Sequence, residues 1–274
     1  MHLTVTFKLM KLIKIFTLYS GSTGNSTFIR VGDTAILIDA GRNAKALRTA
    51  LSEIGEDISD ICAIFITHEH SDHISALDVI AKKNDIPIYM TRQSAQRIPA
   101  DSPVREHLLE RDVLFSENIG DMRISSFPTS HDSLMSVGYK IEFCDGECMR
   151  YIGYATDTGY VSDDIRAALL GCEAVILECN HDVDMLMRGP YPYDIKRRVA
   201  SNKGHLSNEA CAEFAFDLVQ NGTRAIMLAH VSRENNDPTL AFDVVSSAIS
   251  GFDVNLFIAE PFMPTELIIP KSEG

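Results

Sequence analysis

At 274 residues, with 45% hydrophobic and 23% charged side chains, the chain is long enough for a substantial core and reads as globular rather than disordered or fibrous. A net charge of −13 argues against general polyanion binding unless basic residues are concentrated locally. Six scattered cysteines, an amino-terminal segment interrupted by Lys8, Lys11 and Lys14, and no long apolar run predict a cytoplasmic protein without membrane association.

His2 is expected outside the fold, and Met10 is a candidate natural start. Strand-like runs at 12–19, 26–31 and 35–39 open the chain, the first two joined by the tight turn Ser20-Gly21-Ser22-Thr23-Gly24-Asn25. A helix at 43–54 leads to the apolar strand Ile61-Cys62-Ala63-Ile64-Phe65-Ile66, with Cys62 as core filler. Thr67-His68-Glu69-His70-Ser71-Asp72-His73 follows at the carboxyl end of that strand, the edge where α/β proteins bind ligands. His68 and His70 alternate and project one way, while Asp72 and His73 start a helix running to about Asn84. Glu69, between them, faces the opposite way as a supporting or surface group. Three histidines and an aspartate this close repel when charged and cost solvation when buried neutral; a cation removes both penalties. Two divergent pairs of ligands suit two metal ions.

Further strands are expected at 86–90, 122–127, 137–144, 148–155, 173–178, 224–229 and 254–258. Residues 92–111 read as a polar loop carrying a surface His107, and Asp145-Gly146 as a hairpin turn flanked by Cys144 and Cys148. Helical spacing recurs at 162–170, 193–201, 207–220 and 239–249, with Ser207 as the cap of the third. His131, Asp157 and His230 each follow an apolar run, as His68 does, so one sheet edge can gather them. A strand meander followed by strands alternating with helices occurs twice. This predicts an α/β fold in which one domain over residues 1–274 sandwiches two mixed sheets between outer helices. Between Arg188 and Lys203, the cations Arg188, Lys196, Arg197, Arg198 and Lys203 face a single carboxylate, Asp194. This is the local basic patch that an acidic chain needs for a phosphate-bearing substrate.

The HxHxDH run, with Ile36-Leu37-Ile38-Asp39-Ala40-Gly41 before it, resembles the signature of the metallo-β-lactamase superfamily. That resemblance implies a four-layered αβ/βα sandwich and a cofactor of two divalent metal ions, Zn, Mn or Fe. Its ligand pattern assigns His68, His70 and His131 to one ion, and Asp72, His73 and His230 to the other, with Asp157 bridging. The lactamases of the main zinc classes carry a cysteine where this chain has Asp157, so the pattern implies a hydrolase of phosphoesters, thioesters or lactones instead. Leu177-Glu178, Gly204-His205-Leu206-Ser207 and His230-Val231-Ser232-Arg233 resemble motifs of ribonuclease Z. By that likeness Glu178 orients His205, His205 protonates the leaving oxygen, and Arg233 holds a phosphate. The stretch through Asn180-His181-Asp182, Gly189-Pro190-Tyr191-Pro192 and Lys196-Arg197-Arg198 resembles the bacterial WalJ (YycJ)-like branch, proposed to comprise DNA or nucleotide phosphodiesterases. The expected reaction is attack of a shared hydroxide on phosphorus of a phosphodiester, DNA and RNA included. Asp72 then positions or accepts the proton, with His181, Lys196, Arg197 and Arg198 contacting substrate. A thioesterase or lactonase is the rival enzyme, and a metal-stabilised regulatory protein the rival of another class.

Overall fold

Apolar runs such as Ile36-Leu37-Ile38 are continuous because their residues alternate between two separate cores, one on each face of the sheet. The computed structural model describes residues 11–146 and 148–270, so the expectations for His2 and Met10 lie outside the described residues. The first half runs β1 (Ile13–Tyr19), β2 (Ser26–Val31), β3 (Thr34–Ile38), α1 (Ala44–Glu53), β4 (Ile61–Phe65), α2 (Ser71–Ile74) and α3 (Leu77–Ala81). It continues through β5 (Ile88–Thr91), α4 (Arg92–Ala95) and β6 (Leu108–Arg111). The second half has β7 (Ser116–Ile119), β8 (Met122–Pro128), β9 (Val137–Cys144), β10 (Met149–Ala155), α5 (Asp163–Leu169), β11 (Ala174–Glu178) and α6 (Val183–Arg188). After these come α7 (Tyr193–Val199), α8 (Asn208–Gln220), β12 (Ala225–Ala229), α9 (Pro238–Ala248), β13 (Asn255–Ile258) and β14 (Thr265–Glu266).

The strands form two seven-stranded sheets, ordered β14-β1-β2-β3-β4-β5-β6 and β13-β12-β11-β10-β9-β8-β7. In each, an antiparallel meander passes into parallel strands: β3 to β6 in the first sheet, β10 to β13 in the second. Ile36, Ile38 and Phe65 of one sheet and Ile141, Ile152, Ile176 and Met227 of the other share a central core. Leu37 and Ile64 face outward onto Leu47, Leu51 and Ile80 of α1 and α3. On the other side Val175, Leu177 and Leu228 meet Leu169, Phe214, Leu218 and Val245 of α5, α8 and α9. Helix, sheet, sheet, helix is the expected four-layered sandwich of two mixed sheets.

Several local expectations are corrected. The helix expected from Asp72 to about Asn84 is two pieces, because Ala76 N–H donates to Ala40 O (2.9 Å) while His73 O accepts from Ala40 N (2.8 Å). The chain after β3 is thus stitched into the break. The loop expected over 92–111 contains α4 and β6, an edge strand with only two apolar residues. Cys62 is exposed, not core, and His107 is largely covered, 3.3 Å from Asp85. Among the described residues, no helix is long and apolar enough to cross a membrane.

Candidate metal centre

Six strands end at one place. Asp39 follows β3, Thr67 to His73 follow β4, His131 lies beyond β8, Asp157 beyond β10, and His230 directly after β12, while Glu178 closes β11. Asp39, Asp157 and His230 have φ of 61°, 57° and 55°, the left-handed region that non-glycine residues enter at a cost. Three such residues at three strand ends mark where the backbone is bent to aim a side chain inward.

The candidate side chains converge in three sets, one of them Asp157, Glu178, His205 and His230. His68, His70 and His131 bring one ligating atom each within 4.8 Å of one another, and so do His68, His73 and Asp157. Asp157 reaches both sides: Oδ2 lies 3.5 Å from His73 Nε2, and Oδ1 lies 3.8 Å from His131 Nε2 and 3.5 Å from His230 Nδ1. Asp72 Oδ2 is 3.5 Å from His73 Nε2 and accepts from Asn25 Nδ2 (3.2 Å). All seven expected ligands therefore meet.

The far nitrogen of His68, His73, His131, His205 and His230 is fixed by an oxygen, which decides the near one. His73 Nδ1 donates to Asp39 Oδ2 (2.8 Å). The Thr67 hydroxyl donates to Asp39 (2.9 Å) and so accepts from His68 Nδ1 (3.0 Å). His131 Nδ1 donates to Gly204 O (3.1 Å). Glu178 Oε1 accepts from both His205 Nδ1 and His230 Nδ1, each at 2.8 Å, while its Oε2 accepts from Thr158 N and Leu206 N. With Nδ1 protonated, Nε2 of His68, His73, His131 and His230 is the lone-pair nitrogen turned inward, the arrangement that metal-binding histidines adopt.

The donor set fits a divalent cation. His68 Nε2, His230 Nε2 and Asp157 Oδ2 are buried without any hydrogen-bond partner, a costly condition that a cation relieves. The local charge balance points the same way. Burial lowers His73 and His230, but the carboxylates outweigh it: Asp39 and Asp157 raise His73 well above an ordinary imidazole, and Asp157 with Glu178 raises His230 to about 9. Burial raises Asp157 and Glu178, yet the histidines around them win and hold both below the usual carboxylate range. The carboxylates that favour positive charge on His73 and His230 would equally favour cations beside them. Burial, then the other imidazoles, keep His68 well below its ordinary value, ready to ligate.

A cleft of about 170 Å³ opens onto this cluster, lined by Ser22, Tyr191, Arg198, His205, His230 and Asn235 among others. His205 is partly exposed, with its ring 5.0 Å from those of His131 and His230. Of the expected substrate contacts, Arg198 lines the cleft and pairs with Asp132 (3.0 Å). Lys196 folds back onto Met187 O (2.7 Å) and Arg197 lies over Tyr193 (6.0 Å), so neither points into it. His181 is 2% exposed and absent from the lining; it is a buried link between β11 and α8, pairing with Ser207. Arg233 is exposed and packs over Phe262 (5.2 Å), in an adjoining groove.

Sequence reasoning missed Asn25, Ser20 and Asp132 as supporting residues, while Glu69 takes the supporting role expected of it. Asn25 holds Asp72, and Ser20 Oγ accepts from His230 N (2.6 Å), so the 20–25 turn supports the centre. Asp132 sits between His131 Nε2 (3.2 Å) and Arg198. Glu69 accepts from Leu134 N (2.7 Å) and so ties down the loop beside His131. Only the position of Asp132 next to a candidate ligand hinted at its place.

Comparison with known proteins agrees with this geometry. The Beta-lactamase superfamily domain matches residues 34–231. The chain is 36% identical to Exodeoxyribonuclease YycJ of Bacillus anthracis, over 91% of this chain and 96% of that protein. It is 34% identical to Exodeoxyribonuclease WalJ of Streptococcus pneumoniae, over 89% and 90% respectively. Among solved structures, the metallo-beta-lactamase fold protein YhfI from Bacillus subtilis superposes with a TM-score of 0.67 at 17% identity, covering 93% of this chain and 98% of that one.

Proposed function

The chain belongs to the metallo-β-lactamase superfamily, and on that premise we propose that it is a dinuclear metal-dependent hydrolase of phosphodiester bonds in nucleic acid or nucleotides. The observation that carries this reading is the sharing of Glu178 Oε1 between His230, a candidate ligand, and His205, which is none of the seven. A metal site uses the first bond, and a reaction that must protonate a poor leaving group uses the second. The exodeoxyribonuclease names of both relatives support DNA as the substrate and exonuclease action as one form of the activity, which we read as 5′-directed.

His68, His70 and His131 would hold one ion, and Asp72, His73 and His230 the other, with Asp157 between them; nitrogen and oxygen donors accommodate Zn, Mn or Fe. Bound there, the ions would polarise the phosphoryl oxygens and acidify a water toward neutrality. Asp72, whose side chain is 22% exposed, orients the attacking water and takes its proton on a carboxylate oxygen. Glu178 holds His205 Nδ1–H, leaving Nε2 to deliver a proton to the departing alkoxide. Arg198 from α7 and Arg233 supply positive charge for the non-bridging oxygens. Residues 1–274 act as one domain, since the central core draws on both sheets, and the cytoplasm is the setting that suits free thiols.

The test is turnover of bis(4-nitrophenyl) phosphate, a thioester and a lactone by the metal-loaded protein. Phosphodiester hydrolysis alone is expected. Preferential thioester or lactone cleavage would replace the reading with a thioesterase or lactonase, and stoichiometric metal without turnover would leave a metal-stabilised regulatory protein.

A further inference from the structure

The basic residues expected to grip the substrate, those of α7, are largely engaged within the protein. A different set of cations is free. Arg42, Lys45, Arg48, Lys83 and Arg233 have no ion-pair partner among the described residues. Lys82, Arg97, Lys140, Lys196, Arg197 and Lys203 lack one too, but the first five line adjoining grooves. By contrast, Lys14, Arg30, Arg105, Arg111, Arg150 and Arg166 are each paired with a carboxylate. In a chain of net charge −13, unpaired cations gathered on one face call for a ligand.

These residues are contiguous. Arg233 and Ser20 line a groove next to His230 that also holds Asp237 and Glu260 and reaches Pro261. Phe262, 44% exposed, then lies under two guanidiniums, Arg233 at 5.2 Å and Arg42 at 5.0 Å from its ring. Arg42 and Phe262 share the next groove, of about 290 Å³, with Lys45 of α1. Lys45 in turn belongs to a third, of about 580 Å³, with Arg48 and with Lys83 just past α3. Glu53 lines the last two, a single carboxylate against four cations. The near end of this path is coupled to the metal centre. A Cβ on Gly24 would fall 1.9 Å from Arg42 Cγ, so Arg42 lies flat across the turn whose next residue, Asn25, holds Asp72.

The role of Phe262 is specific. A carboxylate would order both arginines and cancel their charge. An aromatic ring orders them through cation–π contact and leaves their N–H groups and charge available. Phosphate oxygens, spaced along a chain, are what such a row accepts. Helix α1 alone is ten residues, about 15 Å long, further than a dinucleotide needs.

We propose that the Arg233–Phe262–Arg42–Lys45–Arg48–Lys83 path is a binding track for the phosphate backbone of a DNA segment extending beyond the scissile bond. It rests on the phosphodiesterase reading and names its substrate class as polynucleotide rather than small diester. Phe262 is a positioning residue in this track.

The test uses the full-length metal-loaded protein and the triple variant Lys45→Ala, Arg48→Ala, Lys83→Ala, all on exposed or half-exposed positions remote from the seven ligands. Binding of a fluorescein-labelled, cleavage-resistant phosphorothioate 20-mer and of the matching dinucleotide is read by anisotropy at stepped salt. The expected result is at least tenfold weaker binding of the 20-mer by the variant, with a salt slope shallower by about 2 (~0.7 per lost contact). Dinucleotide binding and bis(4-nitrophenyl) phosphate turnover should stay within twofold of the parent. Phe262→Leu should weaken 20-mer binding, and Phe262→Tyr should restore it. Equal 20-mer binding by parent and triple variant would overturn the track, as would a parent that binds the 20-mer no tighter than the dinucleotide. Loss of small-diester turnover in the parent itself would instead overturn the phosphodiesterase reading, so the two failures are distinguishable.

Discussion

His205 and His230 present the same nitrogen to the same carboxylate oxygen, yet only one of them belongs to the ligand set. That division predicts a separation of effects. His205→Ala should leave metal content unchanged and slow cleavage of an alkyl phosphodiester by about 10²–10⁴, the range for a lost general acid. An activated aryl ester, whose leaving group needs no proton, should be slowed far less; equal slowing of both would remove His205 from proton delivery. Asp39 tests the supporting shell. Asn in its place tolerates the positive φ of 61° but cannot accept from both Thr67 and His73 as a carboxylate does. Asp39→Asn should weaken metal affinity about 10- to 100-fold, measured by competition with a chromogenic chelator. Unchanged affinity would mean that His73 needs no anchoring.

At the scale of elements, Glu56 fastens the segment after α1 to the first two strands. Its side chain is 5% exposed and accepts from Lys14 Nζ (2.7 Å) and Arg30 Nε (3.1 Å). Burial raises its carboxyl, but these two cations outweigh burial and hold it below the ordinary value. A folded-state value below the unfolded one contributes stability that is present above the unfolded pKa and lost as pH falls through the folded one. Glu56→Gln should therefore destabilise by about 1–3 kcal/mol near neutrality, and the gap from the parent should close as the solution is acidified below pH 4. Urea melts at pH 7 and pH 3 check this; a gap independent of pH would contradict it. The same elements show what the sequence made legible. Long apolar strands announced themselves, since both faces are buried and no polar residue interrupts them. The edge strands β6, β7 and β14 did not, because half their residues face solvent and the pattern reads as loop. Nor did the break between α2 and α3, set by a backbone bond to Ala40, which no local periodicity records.

Across the whole molecule, the candidate ligands were legible for a topological reason. In both halves the chain leaves a strand at the same sheet edge, so polar residues after apolar runs collect together whatever their separation in sequence. The substrate-facing surface was not legible in that way. Of the run of cations on α7 that looked like the phosphate grip, Arg198 alone lines the cleft while Lys196 and Arg197 turn to Met187 and Tyr193, whereas Arg42, Lys45, Arg48, Lys83 and Arg233 come from positions far apart in sequence. Clustering in sequence identifies a charged helix; only the fold decides which charges are left unpaired. The metal centre also bears on global stability, since it joins six strand ends from both sheets. Prolonged chelation should lower Tm by about 5–10 °C, the effect of losing a ligand held near 100 times its Kd. No shift on chelation would mean that the sandwich carries this charge cluster without help.

The central claim is that these imidazoles and carboxylates surround a pair of neighbouring cations. Anomalous diffraction from crystals grown with Mn tests it most directly. The expected map has two peaks about 3.5–4 Å apart, one against His68, His70 and His131, the other against Asp72, His73 and His230, with Asp157 touching both. A map with no peak inside this cluster, from protein that hydrolyses phosphodiesters in the same buffer, would contradict the account.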